Sequence, residues 1–336
     1  MNERLLFVIG PPRSGSTLLA RMLGAHSRIL APAEPHLLTP LAHLGYYASV
    51  ERAPYDPVIS QGAIRELVRS LPGGEADYLA ALRAYADALY GRLLEASGRG
   101  LLLDKTPAYA LVLDFVAKLY PKARYVVLTR HPFAVWSSYV QSFFDGDHAA
   151  AHRHNPLLER YVPALARFLR EAPVAVQRVG YEALVRDPEA RMRELCAFLG
   201  LGFEPGMVDY GEAGENRAAA RGLGDPITVA RETRPTTASL GRWAEEMAGE
   251  PGKVQQAREI LARLADEDLE TWGFPRAALA AELDAVPGAA PARRRARLTR
   301  YALERRLLVR LRRDIHHNTF GRLVRRLRTA CDVLLR

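Results

Sequence analysis

Gly10-Pro11-Pro12-Arg13-Ser14-Gly15-Ser16-Thr17 lies between an apolar run, Leu5-Leu6-Phe7-Val8-Ile9, and a helical pattern carried by Leu18, Leu19, Met22 and Leu23. A glycine turn between a strand and a helix points backbone N–H groups, at the positive end of the helix dipole, toward an anion such as a phosphate. In the Walker A pattern a lysine follows the last glycine of the loop. Here that position is Ser16, and the cation stands upstream at Arg13. A second strand-turn-helix junction repeats the chemistry, because Arg124–Thr129 breaks at Arg130-His131-Pro132 and Ser137 and Ser138 follow. Magnesium-dependent nucleotide hydrolysis wants an acid at such a strand end, and this strand ends Leu128-Thr129-Arg130. Arginine in that place points to anion binding without a metal.

These junctions need a scaffold that sets strand ends side by side. Short apolar runs at 5–9, 28–31, 101–103, 124–129 and 174–178 read as strands, and helical patterns fall between them, with 40–100 mostly helical, 111–120, a helix opening near Phe133, and 187–199. Alternation of this kind predicts an α/β fold of three layers, P-loop-like, with a mostly parallel central sheet covered on both faces. Ligands of such sheets bind at the carboxyl ends of the strands. The expected organisation is an α/β domain over 1–284 with a helical insertion at about 40–100, a Pro/Ala/Gly linker at 285–292, and a C-terminal basic helical extension at 293–336. Residues 211–237, rich in Gly, Arg and Thr, read as a long functional loop.

At 336 residues, 49% hydrophobic and 25% charged, the chain has ordinary globular usage, which disfavours disorder or a disulfide scaffold. Cys196 and Cys331 are its two cysteines and offer neither metal-ligand spacing nor a disulfide framework. Residues 291–336 hold 15 Arg against Glu304, Asp314 and Asp332, a net of +12, so the total of +9 leaves residues 1–290 at −3. Basicity therefore belongs to the tail and does not mark the main domain as a nucleic-acid binder. No apolar window reaches the length of a membrane span, and Leu5–Ile9 is too short for a signal peptide. A cytoplasmic location, peripheral at the membrane if the tail engages lipid, is the expectation.

Pro12-Arg13-Ser14-Gly15-Ser16-Thr17-Leu18-Leu19 resembles the 5′-phosphosulfate loop of sulfotransferases that use 3′-phosphoadenosine 5′-phosphosulfate (PAPS). The stretch from Tyr125 to Tyr139 is similar to their 3′-phosphate motif, with Arg130 and Ser138 eight positions apart as in the family. Arg13, where the cytosolic small-molecule enzymes usually carry lysine, is closer to the tyrosylprotein and bacterial branches. Tyr181-Glu182 through Asp187-Pro188, and Phe198-Leu199-Gly200, are also typical of the family.

The resemblance implies transfer of a sulfuryl group from PAPS to a hydroxyl of a small molecule, lipid-linked group, sugar or peptide, with 3′-phosphoadenosine 5′-phosphate as product and no metal required. Arg13, Ser14, Gly15, Ser16 and Thr17 would receive the 5′ side of the donor, and Arg130 and Ser138 its 3′-phosphate. Arg13 and Lys105, the latter in Asp104-Lys105-Thr106-Pro107, would stabilise the departing charge. Glu34 stands 21 residues after Arg13, at the place of the catalytic glutamate in the tyrosylprotein branch, and is the leading general base. His36 is the alternative, since imidazole is the commonest general base, and a relay between the two is a third arrangement. Arg231 and Arg234 lie where the family folds a basic loop over the nucleotide, or else in a solvated loop. Tyr181 either lines the nucleotide or packs a strand end.

Two other classes fit the phosphate loop alone: a P-loop kinase or NTPase, and a non-catalytic nucleotide-binding adaptor at a membrane. Asp145, Asp147, His148, His152 and His154 can be drawn as a metal site but read better as a polar rim beside the acceptor pocket, so no metal is expected. In the tail, Leu298, Tyr301, Leu303, Leu307, Leu308 and Leu311 among arginines fit an amphipathic helix. Such a helix could meet an anionic membrane surface, pack on the body or pair two subunits. Aromatic interleaving is nearly absent there, and no nucleic-acid partner is expected.

Overall fold

Five strands, β1 (Leu5–Ile9), β2 (Ile29–Leu30), β3 (Leu101–Asp104), β4 (Arg124–Thr129) and β5 (Ala175–Gly180), pair in the order β2-β3-β1-β4-β5. Every pairing is parallel. The computed structural model describes residues 1–48, 57–211 and 233–288, together with Leu323 and Leu327. The readings of 293–336 as a basic helix, Leu323 and Leu327 apart, and of most of 211–237 as a loop, with Arg231 in it, therefore lie outside the described residues.

Alternation along the strands explains the layers. Leu5, Phe7 and Ile9 join one core with Tyr109, Tyr120, Tyr125 and Val127, while Leu6 and Val8 join another with Leu18, Leu19, Met22 and Leu23. All five residues of β1 are fully buried, which is why that segment reads as a continuous apolar run and not as an alternating one. Helix Ser16–Gly24 covers one face; on the other, Phe7 stacks on Tyr125 with ring centroids 5.2 Å apart.

The chain runs from β1 outward to β2 and β3 on one side, then crosses to β4 and β5 on the other. β1 is thus the point where the winding reverses, and its carboxyl end opens into the crevice between diverging connections. Gly10, Glu34, Lys105, Arg130 and Tyr181 each follow the carboxyl end of one strand.

Some boundaries differ from the sequence expectation. β3 reaches Asp104, one residue further, because its carboxylate is held by buried hydroxyls. The helix expected over 111–120 is a 3₁₀ turn, Pro107–Leu111, followed by helix Leu113–Leu119, since Val112 at φ −133° interrupts the α geometry. Among the described residues between 240 and 288, four helices, Arg242–Met247, Pro251–Arg263, Asp266–Trp272 and Arg276–Asp284, pack against the sheet layer through Trp243, Met247, Ile260 and Trp272. Among the described residues no helix is long and apolar enough to cross a membrane.

Candidate functional site

The loop after β1 is built to leave its polar groups facing inward. Gly15 caps helix Ser16–Gly24 at φ +97°, and a Cβ there would sit 2.5 Å from the Tyr181 ring. Glycine alone meets both demands. Arg13 also adopts a left-handed φ of 72°, a conformation that costs a non-glycine residue free energy and is held by its surroundings. Ser14 is fully buried, and its Oγ has no hydrogen-bond partner among the described residues. A buried hydroxyl without a partner costs roughly 1–3 kcal/mol, so an anion with acceptor oxygens would recover that cost.

Contacts across the crevice join the two junctions seen in sequence. Arg13 Nε donates to Ser138 Oγ at 3.1 Å, and Arg130 donates from a terminal nitrogen to the Arg13 carbonyl at 2.9 Å. The Arg130 guanidinium lies 4.3 Å over the Tyr181 ring, which in turn bonds to Ser239 through its hydroxyl at 2.7 Å. Burial holds the Arg130 guanidinium below its usual pKa, and its buried Nε has no hydrogen-bond partner among the described residues. Cationic, desolvated and stacked on an aromatic face, Arg130 suits a phosphate better than it suits a neutral core.

Neighbouring groups fix Arg130 from behind. Trp272, fully buried, donates Nε1–H to the Arg130 carbonyl at 2.9 Å across 142 residues of sequence. The His131 amide donates to Glu182 at 2.9 Å, and the His131 ring stacks on Trp243 and shares a 2.9 Å hydrogen bond with Glu282. Burial first, and then the Arg130 charge, push His131 down to about 4, so the ring is neutral at pH 7. Ser137 donates to Glu246 on helix Arg242–Met247.

On the other side of β1, Lys105 is buried and reaches Thr17 Oγ1 at 3.3 Å. Its ammonium also pairs with Glu34 Oε1, while Glu34 Oε2 lies 3.4 Å from His36 Nε2. One carboxylate therefore bridges the lysine and the imidazole. His36 takes a left-handed φ of 50°, and two residues on the Leu38 amide donates to Tyr109 Oη at 3.0 Å. Tyr109 donates onward to Asp104 at 3.0 Å, joined there by Tyr90 at 2.5 Å and Thr106 at 2.9 Å. Asp104 is fully buried, and burial pushes its carboxyl up to about 6 against the three hydroxyl donors. This network ties the residue before Lys105 to the loop that carries Glu34 and His36.

The structure therefore brings Arg13, Ser14, Gly15, Ser16, Thr17, Glu34, His36, Lys105, Arg130, Ser138 and Tyr181 to one edge of the sheet. Arg234 is exposed and ion-paired to Asp209 at 2.7 Å. Asp147 caps helix His148–His154 through the Ala150 amide, and His152 lies 3.7 Å from Glu159. Among the described residues no group of three or more His, Cys, Asp or Glu side chains is placed to hold a metal ion. Sequence reading passed over Asp104, Tyr90, Tyr109 and Trp272 as site residues. For Asp104 a signal existed, a carboxylate at the end of an apolar strand beside a lysine; for Trp272 local sequence carries none.

A family model described as the sulfotransferase family matches residues 6–205. Nodulation protein NoeE of Sinorhizobium fredii is 33% identical over 225 residues, covering 61% of this chain and 52% of NoeE. Protein-tyrosine sulfotransferase 1 of Danio rerio is 23% identical over 211 residues, covering 62% of this chain and 56% of the relative. The chain thus spans about half the length of these curated relatives. Among solved structures, the sulfotransferase domain from the curacin biosynthetic pathway is similar at TM-score 0.50 and 26% identity, over 71% of this chain and 89% of that domain.

Proposed function

This chain belongs to the sulfotransferase family, and from that membership we propose that it transfers the sulfuryl group of PAPS to a hydroxyl acceptor by in-line displacement. The observation that carries the reading is that Ser14 Oγ, in the loop after β1, and Arg130 Nε, in the loop after the neighbouring β4, are both buried and without a hydrogen-bond partner among the described residues. Two anion receptors on adjacent strand ends suit a nucleotide with a 5′ and a 3′ phosphoryl group. The missing Walker lysine, with Lys105 supplied instead from β3, favours this donor over ATP with magnesium.

In this reading the donor supplies the electrophilic sulfur and a stable phosphate leaving group. The N–H groups of Ser14, Gly15, Ser16 and Thr17 hold the 5′-phosphate, and Arg130 and Ser138 hold the 3′-phosphate. Lys105 and Arg13 balance the charge that grows on the bridging oxygen as the sulfur–oxygen bond breaks. Glu34 accepts the acceptor's proton as the new oxygen–sulfur bond forms, with His36 positioned to relay it. The Lys105–Glu34 pair keeps both groups poised within one contact of each other, so a bound donor that draws Lys105 toward its bridging oxygen leaves Glu34 to the acceptor. Residues 293–336, by their charge and leucine spacing, would meet an anionic membrane surface or pair two subunits.

Calorimetric titration with 3′-phosphoadenosine 5′-phosphate, ADP and ATP, each with and without magnesium, tests the donor. Magnesium-independent binding of the 3′-phosphorylated nucleotide alone is the expected result. Preference for ATP with magnesium overturns it.

A further inference from the structure

Glu34 and His36 stand on a stretch that the sheet does not hold. β2 is two residues long, and residues 31–37, between it and helix Leu38–Ala42, form neither helix nor strand. His36 takes its left-handed φ of 50° inside that stretch. A conformation of this kind costs free energy and persists only where the surroundings over-determine it. Lys105, by contrast, directly follows β3, which is paired to both β1 and β2. The contact between Glu34 and Lys105 therefore joins an irregular loop to a fixed strand end.

The loop is held downstream at the Leu38 amide. Leu38 opens helix Leu38–Ala42, Leu37 supplies no side-chain cap, and the first amides of a helix have no partner inside it. Tyr109 Oη accepts this N–H at 3.0 Å. A phenol has a single proton, and that of Tyr109 goes to Asp104 at 3.0 Å, which leaves the oxygen lone pairs to accept. Burial, and then the Asp104 charge, hold the Tyr109 hydroxyl above its ordinary pKa, so the proton stays on it. The ring is fully buried and lies edge-on to Phe7 of β1, with centroids 6.2 Å apart. Tyr109 is thus clamped on the core side and presents its oxygen to the loop. Asp104 also accepts from Tyr90 and Thr106, so it stays hydrogen-bonded when the Tyr109 hydroxyl is removed. What only that hydroxyl supplies, among the hydrogen bonds of the described residues, is the tie between Asp104 and Leu38.

We propose that Tyr109 is a positioning residue, whose hydroxyl, tied to Asp104, holds the loop of Glu34 and His36 in register with Lys105. Its consequence for turnover rests on the sulfotransferase reading; the tie itself does not. Misplacing a reacting group by about 1 Å costs on the order of 10²-fold in rate, so a hydrogen bond remote from the chemistry can act on turnover through the loop. The groups proposed to bind the nucleotide follow β1 and β4 instead, and affinity for it should not depend on Tyr109.

Tyr109→Phe keeps the ring and removes the oxygen. Tyr120→Phe is its control, because Tyr120 is equally buried, packs on the same Phe7 and gives its hydroxyl to Asp87 instead. Both variants lose a hydrogen bond and both should lose stability. Hydrogen–deuterium exchange of the full chain, read on peptides spanning 31–42, should rise by about tenfold or more in Tyr109→Phe and stay near wild type in Tyr120→Phe. PAPS consumption with p-cresol as the probe acceptor should show kcat lowered by about tenfold or more in Tyr109→Phe. Affinity for 3′-phosphoadenosine 5′-phosphate, by calorimetry, should stay within about twofold of wild type, since only transition-state interactions are lost. Unchanged exchange at 31–42, an equal rise in both variants, or a kcat that falls no further than in Tyr120→Phe overturns the proposal. Nucleotide affinity that falls together with kcat overturns it as well, because a general loosening of the fold would do that. A wild-type chain that binds no 3′-phosphorylated nucleotide, with the exchange difference intact, overturns the sulfotransferase reading and leaves Tyr109 as the anchor of this loop.

Discussion

Glu34 turns one carboxylate oxygen to Lys105 and the other to His36, so a carboxylate, an ammonium and an imidazole share a single contact chain, in which Glu34 is the proposed base. A base acts on turnover more than on donor binding, and removing it costs roughly 10²–10⁴-fold. Glu34→Gln is therefore expected to lower kcat by about 10²-fold or more and to change affinity for 3′-phosphoadenosine 5′-phosphate by less than about threefold. Initial rates combined with calorimetry check this, and an equal fall in both sinks the assignment. Arg130 should behave in the opposite way. Its buried guanidinium offers charge-assisted hydrogen bonds worth about 1.5–3 kcal/mol each, so Arg130→Ala should weaken binding of the 3′-phosphorylated nucleotide by at least about tenfold while leaving ADP binding nearly unchanged. Equal loss for both nucleotides would place Arg130 elsewhere than at the 3′-phosphate.

At the scale of elements, the loop after β1 and the end of β3 carry the strain. Gly15 combines φ +97° with a ring 2.5 Å from where a Cβ would lie. A left-handed conformation costs an L-residue roughly 1–2 kcal/mol before any clash. Gly15→Ala should therefore lower stability by about 2 kcal/mol or more and weaken nucleotide binding, measured by denaturant unfolding and calorimetry; retention of both would mean that the loop adapts. At the end of β3, Asp104 is pushed up to about 6 by burial from an ordinary 3.8. The folded state thus binds this proton more tightly than the unfolded chain does, and the ionised carboxylate costs the fold roughly 3 kcal/mol at pH 7. That cost fades as pH falls through 6 toward 3.8. Relative to Asp104→Asn, the wild-type chain should gain stability between pH 7 and pH 4.5, as thermal unfolding of both at several pH values would show. A constant difference would mean that the carboxylate titrates normally.

Across the whole molecule, Trp272 joins helix Asp266–Trp272 to the loop after β4 through the Arg130 carbonyl, where the 3′-phosphate is proposed to bind. Trp272→Phe keeps an aromatic ring in the core and removes the donor. It should reduce affinity for the 3′-phosphorylated nucleotide severalfold with little change in the acceptor's KM, read from titration and steady-state kinetics together. If only stability changes, Trp272 is a core residue and nothing more.

Much of the fold, and the residues of the candidate site, were legible because their signals are local. A fully buried parallel strand must be a continuous apolar run, as Leu5–Ile9 is and as Tyr125–Leu128 is within β4, and a loop able to receive an anion joins glycine, hydroxyls and a cation within a few residues, as Gly10 to Thr17 does. Strand ends followed by Lys105 and Arg130 were readable in the same way. Distant partners were not. Periodicity gives no pairing order, so the reversal of winding at β1 came only from the sheet. The contacts of Asp104 with Tyr90 and Tyr109, of Arg130 with Trp272 and of Lys105 with Glu34 join segments brought together by packing, and no spacing in the chain encodes them. The sequence determined which groups could bind an anion and move a proton. Tertiary structure decided which of them meet, because hydrogen bonds and ion pairs depend on distances of a few ångströms that only the packed layers set.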